Sequence, residues 1–93
     1  MKTSEGKRGK KIRFQLETDP NSQVFVAGTF NDWDATRRRM RDNPESGVFS
    51  ATLTLPPGRH EYKFVVNGQW LMDPKCREWT WNEHGTLNGV VTV

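Results

Sequence analysis

Apolar and polar residues alternate in short runs along this chain. Ile12, Phe14 and Leu16 are interleaved with Arg13, Gln15 and Glu17. Val24, Val26 and Gly28 form a second run. Phe49, Ala51, Leu53 and Leu55 alternate with Ser50, Thr52 and Thr54, and Tyr62, Phe64 and Val66 with Glu61, Lys63 and Val65. Val91 and Val93 flank Thr92 at the end. Period-two alternation over four to eight residues predicts strands that bury one face. The longest stretch free of glycine and proline, Thr29 to Asn43, has no sustained helical stripe and carries the turn formers Asn31, Asp32 and Asp34.

The punctuation agrees with strands. Asp19-Pro20-Asn21-Ser22 separates the first two runs, and Pro56-Pro57-Gly58 joins the third and fourth, where no central strand tolerates a proline pair. Asn67-Gly68 is a two-residue hairpin signal, because both central positions of a type I′ turn need φ > 0. Short strands separated by turns, with no helix, predict an all-β immunoglobulin-like β-sandwich.

The chain has 93 residues, 33% of them apolar, which fits one compact core. No run of apolar residues is long enough for a membrane helix, and no apolar stretch of a secretory signal follows the basic start, so the cytosol is the expected compartment. The net charge of +3 is misleading. Lys2, Lys7, Arg8, Lys10 and Lys11, against Glu5, account for it, and the rest is close to neutral. Residues 1–10 are expected as a disordered basic tail and residues 11–93 as the folded module. A basic excess confined to a tail argues against nucleic acid as a partner.

Catalytic chemistry finds little support. His60, Cys76 and His84 are scattered without metal-ligand spacing, so no metal or cofactor is expected. No Gly-x-Ser-x-Gly elbow or phosphate-cradling glycine loop occurs. Asp32 and Asp34 flank Trp33, but carboxylates two residues apart in a turn-rich loop make a poor acid/base couple. The chain does not read as an enzyme. Cys76, beside Lys75 and Arg77, reads either as an activated thiol or as an incidental cysteine.

The tryptophans stand out. Trp33, Trp70, Trp79 and Trp81 all lie among polar neighbours near turns. Such an indole is either a lid over the core or an exposed platform. An exposed indole suits the apolar face of a pyranose ring, while nearby amides or ammonium groups bond its hydroxyl rim. Two stacks with a few hydrogen bonds suggest roughly −4 to −6 kcal/mol, a weak site made useful by a repeating ligand.

Val24-Phe25-Val26-Ala27-Gly28-Thr29-Phe30-Asn31-Asp32-Trp33, then Gly58 to Trp70 (with Tyr62-Lys63-Phe64 and Asn67-Gly68-Gln69-Trp70), then Asp73-Pro74 and Gly85-Thr86-Leu87-Asn88-Gly89, together resemble the glycogen-binding module of the AMP-activated protein kinase β subunit. That module belongs to carbohydrate-binding module family 48, with the early-set domains of isoamylase-type and branching enzymes. The resemblance covers residues 11–93. It implies an early-set sandwich that binds α-1,4-linked glucans such as glycogen, starch chains and cyclodextrins. It also implies Trp33 and Trp70 as stacking residues, Lys63 and Asn88 as hydrogen-bonding residues and Thr86 as a nearby contact. A glycogen-metabolising enzyme or a kinase subunit is the implied protein partner.

Read without the resemblance, Lys63 is a solvated strand lysine, and Asn88 is either a glucan-bonding residue or a turn residue before Gly89. The sequence departs from the family between Pro74 and Gly85, which is one residue longer. His84 replaces a leucine that inserts into the glucan. Trp79 and Trp81 have no counterpart and would either extend the sugar platform or cap the sandwich. Arg37, Arg38, Arg39 and Arg41 read as a solvated edge that discourages strand aggregation. The competing function is a protein-interaction or regulatory early-set domain without sugar binding.

Overall fold

A computed structural model describes residues 9–43 and 45–93. Most of the expected tail, residues 1–8, lies outside the described residues. Among the described residues eight strands follow in order: β1 Lys10–Glu17, β2 Val24–Gly28, β3 Arg41–Asn43, β4 Val48–Leu55, β5 Arg59–Val66, β6 Gln69–Leu71, β7 Glu78–Trp81 and β8 Leu87–Thr92. They form two antiparallel sheets, one ordered β1-β4-β3 and the other β2-β5-β8-β7, with β6 also paired to β5. Among the described residues the only helical segment is a 3-10 turn at Thr29–Asn31. The protein is an all-β sandwich, as the alternation predicts. Lys10 already belongs to β1, one residue before the expected module boundary.

Most of the core comes from positions that period-two reading assigns inward. Phe14 and Leu16 of β1, Phe49, Ala51 and Leu55 of β4, and Val24 and Val26 of β2 are all buried, as are Tyr62, Phe64 and Val66 of β5. Phe14 bridges the sheets with its ring centroid 4.8 Å from that of Tyr62, edge on. Val65 points to the opposite face yet is buried too, because its cross-strand neighbours there are Phe25 and Trp70. The sheet face outside the sandwich therefore carries its own apolar floor.

Arg38, Arg39 and Met40 cover the outer edge of β2. The Val26 amide donates to the Arg38 carbonyl at 3.0 Å and the Met40 amide to the Val24 carbonyl at 2.8 Å. The chain then crosses to the other sheet as β3, with Met40 buried at the crossing. The arginine run thus occupies a sheet edge, the place its bland reading assigns to it. Arg38 donates from Nη2 to the Thr52 carbonyl at 2.8 Å, and Arg37 pairs with Asp34 at 3.7 Å.

Asn67 and Gly68 have φ of 51° and 85°, the left-handed pair that the β5–β6 hairpin turn requires. Asn67 also accepts the Gln23 amide on Oδ1 at 2.9 Å, which ties the hairpin to the loop before β2. Tyr62 donates a 2.6 Å hydrogen bond to Asp73 Oδ2, and Asp73 Oδ1 accepts the Lys75 amide at 2.9 Å. These bonds anchor the connection from β6 to β7. Burial and the neighbouring Asp73 carboxylate push the Tyr62 phenol well above its ordinary range.

Candidate functional site

The exposed face of the β2-β5-β8-β7 sheet bears a cavity of about 790 Å³. Its lining includes three tryptophans, Trp33, Trp70 and Trp81, and five polar residues, Lys63, Thr86, Asn88, Glu61 and Asn82. Thr29, Glu83 and His84 complete the lining.

Trp33 is held by an unusual local backbone. Asp32 and Trp33 have φ of 56° and 57°, a region that side-chain-bearing residues rarely enter and that costs on the order of 1–3 kcal/mol per residue. The surrounding bonds enforce it. Asn31 is buried with both ends of its amide engaged: Oδ1 accepts the Gly28 amide at 3.0 Å, and Nδ2 donates to the Val26 carbonyl at 3.2 Å. The Trp33 amide in turn donates to the Gly28 carbonyl at 2.9 Å. Glycine is needed at position 28 because a Cβ would overlap the Glu61 carbonyl oxygen and the Phe30 ring.

Trp70 arrives from β6, placed opposite Val65. The two indole centroids lie 6.4 Å apart with planes inclined at 50°, and Trp70 is 44% exposed. The rings form two tilted facets rather than one flat plate. Neither is swallowed by the core.

The polar side is a connected string. Lys63 Nζ donates to Thr86 Oγ1 at 2.8 Å. Asn82 Nδ2 donates to the same oxygen at 2.7 Å and to Asn88 Oδ1 at 2.9 Å. Asn88 Nδ2 donates to Glu61 Oε1 at 3.0 Å, and Glu61 Oε2 pairs with Arg59 at 3.1 Å. A carboxylate only accepts, so Glu61 sets the orientation of the Asn88 amide, and Asn88 then faces the Asn82 donor. Asn88 is 4% exposed and sits within β8, not in a turn. The Thr86 hydroxyl accepts twice, which leaves its own proton to donate outward. Lys63 keeps two further N–H groups.

Asn82 and Glu61 are the members that sequence reasoning missed. Asn82 opens the β7–β8 hairpin, where its Oδ1 accepts the amides of His84 and Thr86 at 2.9 and 3.1 Å. Gly85, at φ 78°, donates from its amide to the Asn82 carbonyl at 3.1 Å. Asn followed three residues later by Gly is the signal for this turn. His84 is exposed on the cavity rim. Trp79, 57% exposed, is not among the lining residues, whereas Trp81 is.

Two groups that the sequence offers for other chemistry are engaged in local structure. Asp34 accepts the Thr36 amide and hydroxyl, which holds its carboxyl below the usual range, unsuited to a general acid. Cys76 packs against the core, and burial pushes its thiol up rather than down, so the activated reading is overturned. Among the described residues no three His, Cys, Asp or Glu groups cluster as metal ligands.

A β-sandwich with tilted indoles beside a string of sugar-competent donors and acceptors defines the class of carbohydrate-binding modules. The family model described as the glycogen recognition site of AMP-activated protein kinase matches residues 11–93, and the chain belongs to that family. The chain is 49% identical over 57 residues to Protein PTST homolog 2, chloroplastic, of Arabidopsis thaliana, covering 59% of this chain and 10% of that protein. It is 36% identical over 76 residues to the mouse 5'-AMP-activated protein kinase subunit beta-2, covering 82% of this chain and 27% of the relative. It is 46% identical over 57 residues to Protein FLOURY ENDOSPERM 6, chloroplastic, of rice, covering 61% and 10%. The chain thus spans about a tenth to a quarter of these relatives. The plant relatives are named as chloroplastic, so the family assigns no single compartment. Among the described residues no helix is long and apolar enough to cross a membrane.

Proposed function

We propose that the cavity binds α-1,4-linked glucans (glycogen, starch chains, maltooligosaccharides and cyclodextrins) and carries out no reaction on them. The observation that carries this reading is the tilted Trp33–Trp70 pair facing the Lys63–Thr86–Asn82–Asn88 string. The indoles cover apolar sugar faces on a bent chain, and Lys63, Thr86 and Asn88 bond hydroxyls at the rim. His84, at the rim, supplies an edge contact where the family carries a leucine. The backbone of the site is fixed before binding by strands, the Asn31 clamp and the Asn82 turn, so little ordering entropy opposes association.

Membership in a family that includes a kinase subunit supports a carrier role, in which the module holds a linked enzyme on its polysaccharide. The test is calorimetric titration with β-cyclodextrin and maltoheptaose, with cellohexaose as the control. The reading expects saturable binding of the two α-linked ligands, with Kd between about 1 mM and tens of micromolar, and none of the β-linked control. Equal binding of cellohexaose, or no binding of either α-glucan, would refute it.

A further inference from the structure

We propose that β7 is a docking edge for a second copy of this chain, joined strand to strand about a two-fold axis at Thr80. The strand ends its sheet in the order β2-β5-β8-β7, so its far side is open. The Asn82 amide donates to the Thr86 carbonyl at 2.8 Å, and bonded pairs alternate along an antiparallel ladder. Glu78 and Thr80 therefore turn their main-chain groups toward β8, whereas Trp79 and Trp81 turn theirs to the open edge. Among the described residues no turn or loop bond reaches those groups. Other edges are guarded: β1 carries Lys10, Lys11, Arg13 and Glu17, and Arg38 to Met40 cover β2. β7 has only Glu78, at its start.

The indoles add to the open backbone. Tyr62, Gly89 and Trp79 form one row across β5, β8 and β7, so alternation puts Trp79 and Trp81 on the Tyr62 face, opposite to Lys63 and Asn88. That face is the interior of the sandwich. The covering sheet has only three strands, however, and its β1 edge meets Tyr62 through Phe14. β7 lies two strands beyond Tyr62, and Trp79 and Trp81 are left 57% and 71% exposed. Large exposed indoles are disfavoured unless something covers them in use.

Symmetry makes this edge complementary to itself. With Thr80 on the axis, Trp79 of one copy meets Trp81 of the other, which forms a closed set of main-chain hydrogen bonds and one cluster of indoles. Glu78 falls opposite neutral Asn82, and the ends of the ladder bring Arg77 of one copy toward Glu83 of the other, so like charges do not meet. The open parts of the indoles amount to roughly 400–600 Å² over both copies. A standard interface buries about 1,600 Å², so this dimer is weak and its population follows concentration.

The test is sedimentation equilibrium of the wild-type chain and of Trp79→Lys, a residue outside the glucan cavity, up to about 1 mM. The average mass should climb toward twice the monomer for wild type and stay at the monomer for Trp79→Lys. Thr80→Cys and Glu78→Cys, each combined with Cys76→Ala, read the register by air oxidation and do so even if Trp79→Lys fails to fold. Facing Thr80 positions lie about 4.5 Å apart between Cα atoms, within disulfide reach, and facing Glu78 positions more than about 12 Å. Thr80→Cys should therefore cross-link at least about tenfold faster than Glu78→Cys. Equal cross-linking at both positions, or a folded Trp79→Lys that dimerises like wild type, would overturn the proposal. So would a wild-type chain that stays monomeric, which would leave the edge to an extended segment of a different protein.

Discussion

Asn82 donates from Nδ2 to Asn88 Oδ1 at 2.9 Å, so a turn residue orients the amide of a buried strand residue across the β7–β8 hairpin. The same Asn82 amide holds Thr86, and its oxygen accepts two turn amides. One side chain thus links the shape of the hairpin to the polar half of the site. Folding of the loop and preparation of the site are the same event.

Two substitutions separate those roles. Asn82→Ala removes both and is expected to lower Tm by about 8–16 °C, as two turn bonds at about 1 kcal/mol each, and to weaken β-cyclodextrin binding about fivefold to tenfold. Asn82→Asp keeps an oxygen for the turn amides but loses the donor to Thr86 and Asn88. It should retain most of the Tm while losing comparable affinity. Scanning calorimetry alongside titration distinguishes the two, and parallel losses in both variants would contradict the assignment.

Gly28→Ala should destabilise the fold without altering any group that touches sugar. The added methyl meets a backbone carbonyl and the Phe30 ring, neither of which moves freely. A cost of about 1–3 kcal/mol is expected from urea unfolding. A neutral result would mean that the close approach of β2 to β5 is not maintained in solution.

The fold was legible in the sequence where one strand face is buried, because alternation then survives as a strict pattern. The runs at Phe14, Val24, Phe49 and Tyr62 became β1, β2, β4 and β5 with the expected faces inward. Short β3 and β6 left too few residues for a period to register. β7, an edge strand carrying two exposed tryptophans, reverses the polar-out rule and reads as loop. In the site, the paired tryptophans and Lys63 were visible through motif resemblance. Asn82 was not, since a hub that works through hydrogen bonds has no hydrophobic signature.

Burial of the Tyr62 phenol, together with its bond to Asp73, makes stability fall at high pH. The folded phenol holds its proton well above the ordinary value of 10.0. Above about pH 10 the unfolded chain loses a proton that the folded chain retains, so unfolding becomes more favourable as pH rises. This pH-linked contribution is complete below about pH 10 and declines above it. Tyr62→Phe should cost about 1–2 kcal/mol at neutral pH and flatten the alkaline decline, as followed by urea titrations between pH 8 and 11.

Cys76 should be a slow thiol. Burial and the Asp73 carboxylate raise its pKa above the ordinary 9.0. Iodoacetamide at pH 7.5 is expected to modify it more slowly than a free cysteine peptide, with the rate still climbing past pH 9. Faster modification than the peptide would show that the thiol is not packed against the core.

The most direct test of the account is calorimetric titration of β-cyclodextrin into the wild-type chain, Trp33→Ala and Trp70→Ala, with far-ultraviolet circular dichroism to confirm the fold. Each indole is expected to contribute at least tenfold in affinity, so both variants should fold normally and bind only weakly. Wild-type affinity in both folded variants would contradict the central claim that this pair of rings is the sugar-holding surface.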